Sequence, residues 1–225
     1  MENDIKKYRE KELKSYVIGN IILILLGLKY IDSILFAIGT ENYGATLEFL
    51  TSSSLVSSLV YIYTYIIDAL VPGDVKNIII WWNKGIPGNR VFSEIKKNNK
   101  DKRFTTEEVL EKYKFVYNEI KKKTETERKN IENSAWYSAY QKNESSAQVF
   151  VSNRDWLLCR DMCVMTLWII IGSILAFVSV KKMPPIWLLG VLIVEFIGTL
   201  IAARVKSIRF VYNVIAKDVH KKTEK

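Results

Sequence analysis

The chain of 225 residues has one histidine, two cysteines and four prolines, and these low counts exclude several kinds of site. The single histidine, His220, lies in a lysine-rich tail, so a histidine-based metal centre or a Ser/His or Cys/His catalytic pair has almost nothing to be built from. Cys159 and Cys163 lie four residues apart, which fits neither a disulfide framework nor a C-x-x-C pair. We therefore expect no enzyme, no bound cofactor and no metal.

Strand-like alternation of convincing length is also missing, whereas long apolar runs are present. They cover residues 16–38, 51–71, 163–180 and 186–203. Runs of this length suit helices that cross a hydrocarbon core of about 30 Å. The mean hydropathy is only +0.04 because these runs alternate with charged sequence. The sequence predicts an all-α integral membrane protein, with four transmembrane helices in two hairpins and a mainly helical cytoplasmic domain between helices 2 and 3.

The distribution of positive charge predicts the orientation. Of the lysines and arginines outside the runs, 30 lie in the two tails and the central domain and 2 lie in the short connections at 39–50 and 181–185. Positive flanks are retained on the cytoplasmic side, so both termini and the domain are predicted to be cytoplasmic. The expected segments are an N-terminal segment (1–15), a first transmembrane hairpin (16–71), a basic domain (72–161), a second hairpin (162–203) and a basic tail (204–225).

Within the central domain, Thr105 and Glu108 form the pattern of a capping box, followed by an apolar stripe at three-to-four spacing up to Ile120. The polar segment 121–130 either continues this helix or ends it. The helix that carries Trp156 is predicted to run without a break into the third span. The segment 78–82, which ends in two tryptophans, fits either the lipid headgroup level or a buried first element of the domain.

The domain carries 18 basic and 13 acidic residues. A positive domain beside anionic lipid is expected on electrostatic grounds, and this interpretation is favoured over binding of nucleic acid. Arginines in lysine-dominated sequence, Arg90, Arg154 and Arg160, remain candidates for contact with a nucleotide or a neighbouring subunit.

Ionisable residues at membrane depth are the sharpest candidates for a functional site because each is costly when it faces lipid. They are Lys29, Asp32, Asp68 and Glu195. Lys29 lies three residues from Asp32 and at a depth similar to that of Glu195, so either carboxylate is a candidate partner for the lysine.

The second run also has a polar stripe at helical spacing, formed by Ser54, Ser57, Ser58, Tyr61, Thr64, Tyr65 and Asp68. Such a stripe lines an aqueous pore or lets helices pack closely, and packing is the commoner use. Four helices are too few to enclose a wide path, so a pore requires a homo-oligomer, with Asp32, Asp68 or Glu195 forming acidic rings.

Two motifs carry a resemblance. One is the stretch from Pro87 through Arg90 to Ser93, and the other combines Trp136, Tyr137 and Tyr140 with Arg160 and Asp161 before the third span. Together with the two-plus-two layout, they resemble small bacterial membrane proteins and the membrane effectors of antiphage defence operons of the Hailong and CBASS types. The resemblance implies a bacterial inner-membrane location, a soluble operon partner or a nucleotide or oligonucleotide signal as the trigger, and membrane depolarisation during infection.

A helical core of Trp136, Tyr137 and Tyr140 and a juxtamembrane pair of Arg160 and Asp161 would explain the same residues without a ligand. A glycine-rich phosphate loop is missing from the sequence. Two hypotheses follow: an oligomeric effector that forms or gates a pore under control of its cytoplasmic domain, and a non-conducting membrane scaffold or sensor whose basic domain binds a soluble partner or nucleic acid. A small transporter is disfavoured because the two hairpins show no internal repeat.

Overall fold

The computed structural model describes residues 2–29, 36, 39, 43–179 and 184–221. Within these residues all secondary structure is helical and no strand occurs, which confirms the predicted all-α class. The helices are α1 (Glu2–Gly27), α2 (Tyr43–Leu70), α3 (Gly73–Trp81), α4 (Val91–Lys97), α5 (Thr106–Lys112), α6 (Lys114–Ile120), α7 (Glu125–Asn143), α8 (Ala147–Ser179) and α9 (Ile186–His220). Two short 3-10 helices, Trp82–Lys84 and Pro87–Asn89, lie between α3 and α4.

The chain divides into two compact units. The apolar unit comprises residues 6–76 and 160–201, and the polar unit comprises residues 1–5, 77–159 and 202–225. The helices α8 and α9 contribute residues to both units without a break. This continuity confirms the prediction that the helix carrying Trp156 runs directly into the third apolar run.

The apolar unit has a core where α1, α8 and α9 meet. Its buried side chains are Ile24, Ile169, Phe177, Leu188 and Leu192. A Cβ atom on Gly27 would lie 2.7 Å from Cδ2 of Leu188, so the missing side chain permits the close approach of α1 to α9.

Helix α2 joins the bundle through Val60 and Tyr63. Val60 packs against the core of the apolar unit. A Cβ atom on Gly172 of α8 would lie 3.1 Å from the ring of Tyr63, so α2 and α8 approach closely at this glycine.

Among the residues that the structure describes, two helices are long and apolar enough to cross a membrane, namely residues Ala147–Leu175 of α8 and the whole of α9. Only 17% of the most apolar window of α9 is buried inside the chain, whereas the core helix of a soluble protein is mostly buried. The exposed fractions of Ile186 and Val194 reach 87% and 70%. These exposed side chains favour contact with lipid.

The first predicted span, 16–38, is not one uninterrupted helix, and its residues 30–35, 37 and 38 lie outside the described residues. Helix α1 begins at Glu2 and ends at Gly27, and its last turn is closed by a hydrogen bond from the backbone N–H of Lys29 to the carbonyl of Leu26. Lys29 has a φ of 58°, a left-handed conformation in which an L residue does not continue an α-helix. The second predicted span, 51–71, lies almost entirely within α2 and is helical.

The polar unit is built from α4 to α7 together with parts of α1, α3, α8 and α9. The capping box at Thr105 and Glu108 is present, as predicted. The predicted helix after it is interrupted at Tyr113, which separates α5 from α6. A second capping box, formed by Thr124 and Glu127, starts α7. The segment 121–130 therefore does not continue the preceding helix, because α6 ends at Ile120 and a new helix begins at Glu125.

The segment predicted as a basic tail, 204–225, is helical over most of its described residues. Residues 204–220 are the C-terminal half of α9, and every residue from Phe210 to Ala216 is buried. The polar unit therefore comprises three separate parts of the chain, residues 1–5, 77–159 and 202–225, and its core includes the end of the last helix.

Candidate functional site

Polar side chains of α1, α8 and α9 meet inside the apolar unit. The carboxylate of Glu195 accepts a hydrogen bond of 3.0 Å from the side-chain amide of Asn20, which is 4% exposed. One turn earlier on α1, the hydroxyl of Tyr16 is hydrogen-bonded to that of Thr166, which is fully buried. Glu195 thus has a neutral partner on α1, a residue that the search for opposite charges missed.

The other predicted intramembrane charges have different outcomes. Lys29 is exposed and lies just beyond the end of α1. Asp32 and the side chain of Asp68 lie outside the described residues, so the acidic rings predicted at these positions stay predictions.

The hydroxyl stripe of α2 lies largely on the outside of the apolar unit. Ser54 and Ser58 are exposed, while Ser57 and Tyr61 are half-buried. The hydroxyl of Ser57 donates to the backbone carbonyl of Ser53 at 2.7 Å, which satisfies it within the helix. Helix packing within one copy of the chain therefore leaves Ser54 and Ser58 of the stripe exposed.

A buried ionic cluster lies where α8 enters the apolar unit. Asp161 has no solvent exposure, and its carboxylate lies 3.4 Å from the ammonium of Lys76 and 3.1 Å from Nε of Arg160. Arg160 and Asp161 were predicted to belong to the cytoplasmic domain, but both belong to the apolar unit. Two cations around one buried carboxylate stabilise it against the cost of burial, which fits a structural role.

The stretch from Pro87 to Ser93 packs against α7, which carries Trp136 of the second motif, in the polar unit. Glu132, 2% exposed, accepts hydrogen bonds from the backbone N–H groups of Phe92 and Ser93 and from the Ser93 hydroxyl, so it caps the start of α4. Burial raises the pKa of Glu132, although these donors oppose the shift. A Cβ atom on Gly88 would lie 3.0 Å from the ring of Trp136, so the glycine lets the loop approach α7.

Trp136 and Tyr140 belong to the aromatic core of the polar unit. The ring of Phe210 lies edge-on to both, with centroid distances of 5.4 and 5.5 Å, and the indole N–H of Trp136 donates to the carbonyl of Val211. Tyr137 is 50% exposed. The packing explanation thus accounts for Trp136 and Tyr140, while Tyr137 remains accessible to a partner.

The two remaining candidate arginines in the polar unit have separate partners. Arg90 stacks over Trp81, with its guanidinium carbon 5.0 Å from the ring centroid, and pairs with Glu94 at 2.8 Å. Arg154 pairs with Asp155 at 2.7 Å. The candidate ligand residues are therefore distributed over several local contacts in two units.

A polar network around Asp218, which sequence reasoning missed, lies in the core of the polar unit. The Asp218 carboxylate accepts hydrogen bonds from the Tyr113 hydroxyl at 2.7 Å and the Asn143 amide at 2.9 Å, and Lys112 lies 3.1 Å away. Burial alone would raise the pKa of Asp218, but these three partners outweigh it and hold the pKa below its ordinary value. Burial and the neighbouring carboxylate raise the pKa of Tyr113.

A cavity of about 530 Å³ opens beside this network. Two acidic residues, Asp218 and Glu119, and two lysines, Lys112 and Lys142, contribute charged groups to its wall, and Phe115 contributes apolar surface. None of the seven cytoplasmic contact residues predicted from the sequence lines it. Among the described residues, no group of histidine, cysteine and acidic side chains is arranged to hold a metal ion.

Comparison with known proteins identifies no relative: no family model, no curated protein and no solved structure matches the chain. The resemblance to antiphage membrane effectors therefore stays a prediction, and functional inference depends on the geometry of the chain.

Proposed function

We propose that the chain is a four-pass protein of the bacterial inner membrane that oligomerises and forms or gates a pore under control of its cytoplasmic polar unit. Its role would be that of a membrane effector, and the resemblance noted above favours antiphage defence by depolarisation. In this proposal both termini and the polar unit are cytoplasmic, in keeping with the distribution of positive charge.

The observation that carries the proposal is the outward position of the hydroxyl stripe on α2. Ser54 and Ser58 are exposed on a helix whose other exposed side chains include Leu55, Leu59 and Ile62. The aliphatic side chains suit lipid. The hydroxyl side favours contact with water or with a second copy of the chain. A cyclic oligomer with this side turned toward its axis satisfies both requirements.

The two continuous helices support a gating role for the polar unit. Both α8 and α9 supply residues to the polar core and to the apolar unit, with no loop between the two parts. Rearrangement of Phe210 or Val211 in the polar core would act on the same helix that carries Glu195. The cavity beside Asp218, with Lys112 and Lys142 in its wall, is our candidate site for a small trigger molecule.

The proposal is tested by cysteine accessibility on α2. In a background with Cys159→Ala and Cys163→Ala, single cysteines replace Ser58 or Leu59, which are neighbours on the same helix and both exposed in one copy. A water-filled pore predicts that a charged thiol reagent labels Ser58→Cys in liposomes and blocks ion flux, whereas Leu59→Cys, facing lipid, is labelled much more slowly. Equal protection of both cysteines in a conducting preparation would contradict a pore lined by α2.

A non-conducting scaffold is the second candidate, and one observation favours it. Glu195 is hydrogen-bonded to Asn20 within the same chain, so its carboxylate has a role in helix packing without any pore. In this case Glu195→Gln, which keeps an acceptor for Asn20, would leave membrane permeability unchanged. In the pore proposal the same substitution changes conductance or cation selectivity, while Glu125→Gln on the exposed surface of α7 serves as the control.

A further inference from the structure

Two adjacent tryptophans at the end of α3 have opposite environments in the polar unit. Trp81 is 5% exposed and Trp82 is 62% exposed, so the first ring is buried in the unit and the second is accessible. Trp82 has a φ of 50°, a left-handed backbone conformation that is unusual for a bulky residue. The strained backbone turns α3 into the following 3-10 helix at a residue whose indole faces outward.

Arg204 of α9 is held against this exposed ring. Its guanidinium carbon lies 4.9 Å from the centroid of the Trp82 ring, and its Nε donates a hydrogen bond of 2.8 Å to the carbonyl of Ile80. These contacts fix the guanidinium and leave its two terminal nitrogens without a hydrogen-bond acceptor among the residues that the structure describes. A guanidinium held in this way is suited to two parallel hydrogen bonds with a phosphate.

Exposed apolar and cationic side chains lie close in sequence to this pair. Ile78, one turn before Trp82 on the chain, is 58% exposed, and Val205, next to Arg204, is 57% exposed. Lys84, two residues after Trp82, is exposed as well. We call Ile78, Trp82, Lys84, Arg204 and Val205 the tryptophan–arginine patch.

We propose that the tryptophan–arginine patch binds the phosphate of an anionic phospholipid, with the Trp82 ring and the aliphatic side chains at the level of the headgroups. An indole ring suits this level because it is apolar in body and has one polar N–H. The occupant is a lipid because the patch combines two cations with exposed apolar surface, and because Arg204 follows directly after the fourth apolar run. The inference rests on the membrane location in the proposed function, but it does not depend on a pore.

The test uses the full chain, purified in detergent and depleted of lipid, with dioctanoyl-phosphatidylglycerol as the probe. The difference in fluorescence between the wild type and Trp82→Phe isolates the signal of Trp82, which is followed during titration. Dioctanoyl-phosphatidylcholine and inorganic phosphate are titrated in parallel. We expect phosphatidylglycerol to bind more tightly than either control ligand. Phosphatidylcholine has the acyl chains but no net charge, and inorganic phosphate has the charge but no acyl chains.

Arg204→Gln and Lys84→Gln are each expected to weaken phosphatidylglycerol binding about five- to tenfold, with the larger loss for Arg204. Arg128→Gln, at an exposed position of α7, is the matched control and should leave binding unchanged. Lys84→Gln keeps the test valid if Arg204→Gln perturbs the fold, because the Lys84 side chain is exposed.

Three results would overturn the proposal: unchanged phosphatidylglycerol affinity in both variants, equal affinity for phosphatidylcholine, or equal affinity for free phosphate. Binding is measured without flux, so a failed flux experiment leaves the lipid site intact, and a failed lipid experiment leaves the pore proposal intact.

Discussion

Replacement of Asp218 by alanine should destabilise the polar unit strongly. The substitution leaves the Tyr113 hydroxyl and the Asn143 amide buried without their acceptor, and each such loss costs about 1–3 kcal/mol. The Lys112 side chain is 35% exposed and also donates to the backbone carbonyl of residue 218, which alanine keeps, so the loss of its ion pair adds little. The free energy of unfolding should therefore fall by about 2–6 kcal/mol, which at about 4 °C per kcal/mol corresponds to a melting temperature lower by about 8 °C or more.

The assay is thermal unfolding of the full chain in detergent, followed by near-ultraviolet circular dichroism, which reports the aromatic packing of the polar core. Asp155→Ala is the matched control, because Asp155 also pairs with a lysine and an arginine, at 2.8 and 2.7 Å, but its side chain is 23% exposed. It should cost less than about 1 kcal/mol. Equal melting temperatures for the two variants would refute the conclusion that the buried network around Asp218 stabilises the unit.

The same carboxylate predicts a dependence on pH. Because the pKa of Asp218 is lower in the folded chain than in the unfolded chain, its stabilising contribution is fully present above the unfolded pKa and is lost as the pH falls through the folded pKa. The melting temperature of the wild type should therefore fall as the pH decreases from about 5 toward 2. Asp218→Asn should show a shallower fall over this range, and an equally steep fall would contradict the assigned direction of the pKa shift.

Two further substitutions test local packing and capping, each by the same melting assay. Gly27→Ala should lower the free energy of unfolding by about 1–3 kcal/mol, because its Cβ would overlap the buried Leu188 side chain. Gly19→Ala, the control, has open space around it and should be neutral or stabilising. A larger loss for Gly19→Ala than for Gly27→Ala would contradict the close approach of α1 and α9. Thr124→Ala should cost about 1 kcal/mol, because it removes the hydroxyl that accepts from the backbone N–H of Glu127, and an unchanged melting temperature would show that the cap does not stabilise α7.

Helix starts were predictable wherever the local signal was strong. The capping box at Thr105 was recognised from its spacing, and the one at Thr124 has the same spacing to Glu127 but was passed over because the surrounding segment is polar. The polarity of 121–130 reflects exposure of the first turns of α7 and does not indicate a missing helix. A search for the capping pattern itself, independent of hydrophobicity, would have found this boundary.

The buried helical run within residues 204–225 was not predicted, because the basic residues of this segment were counted without regard to their spacing. Between Arg209 and Lys217 lies an uninterrupted run of seven residues, Phe210 to Ala216, and all are buried. Six of the seven residues are apolar or aromatic, and Asn213 is the one polar exception; a helix segment with so little polar surface belongs in a core or in a membrane. The sequence did not show which helices surround this run, because the contacts join residues far apart in the chain. Trp136 donates a hydrogen bond to Val211 within the run, and Tyr113 and Asn143 donate to Asp218, two residues beyond it.

The partner of Glu195 shows a limit of reasoning from charge. A carboxylate at membrane depth prompted a search for a lysine, yet the hydrogen bond comes from Asn20, a neutral side chain on a neighbouring helix. An amide donates to a carboxylate without bringing a second charge out of water, so it avoids the larger desolvation cost of a buried ion pair. Neutral donors placed one helical turn apart, as Tyr16 and Asn20 are on α1, are therefore as informative as opposite charges when the partners of an intramembrane acid are sought.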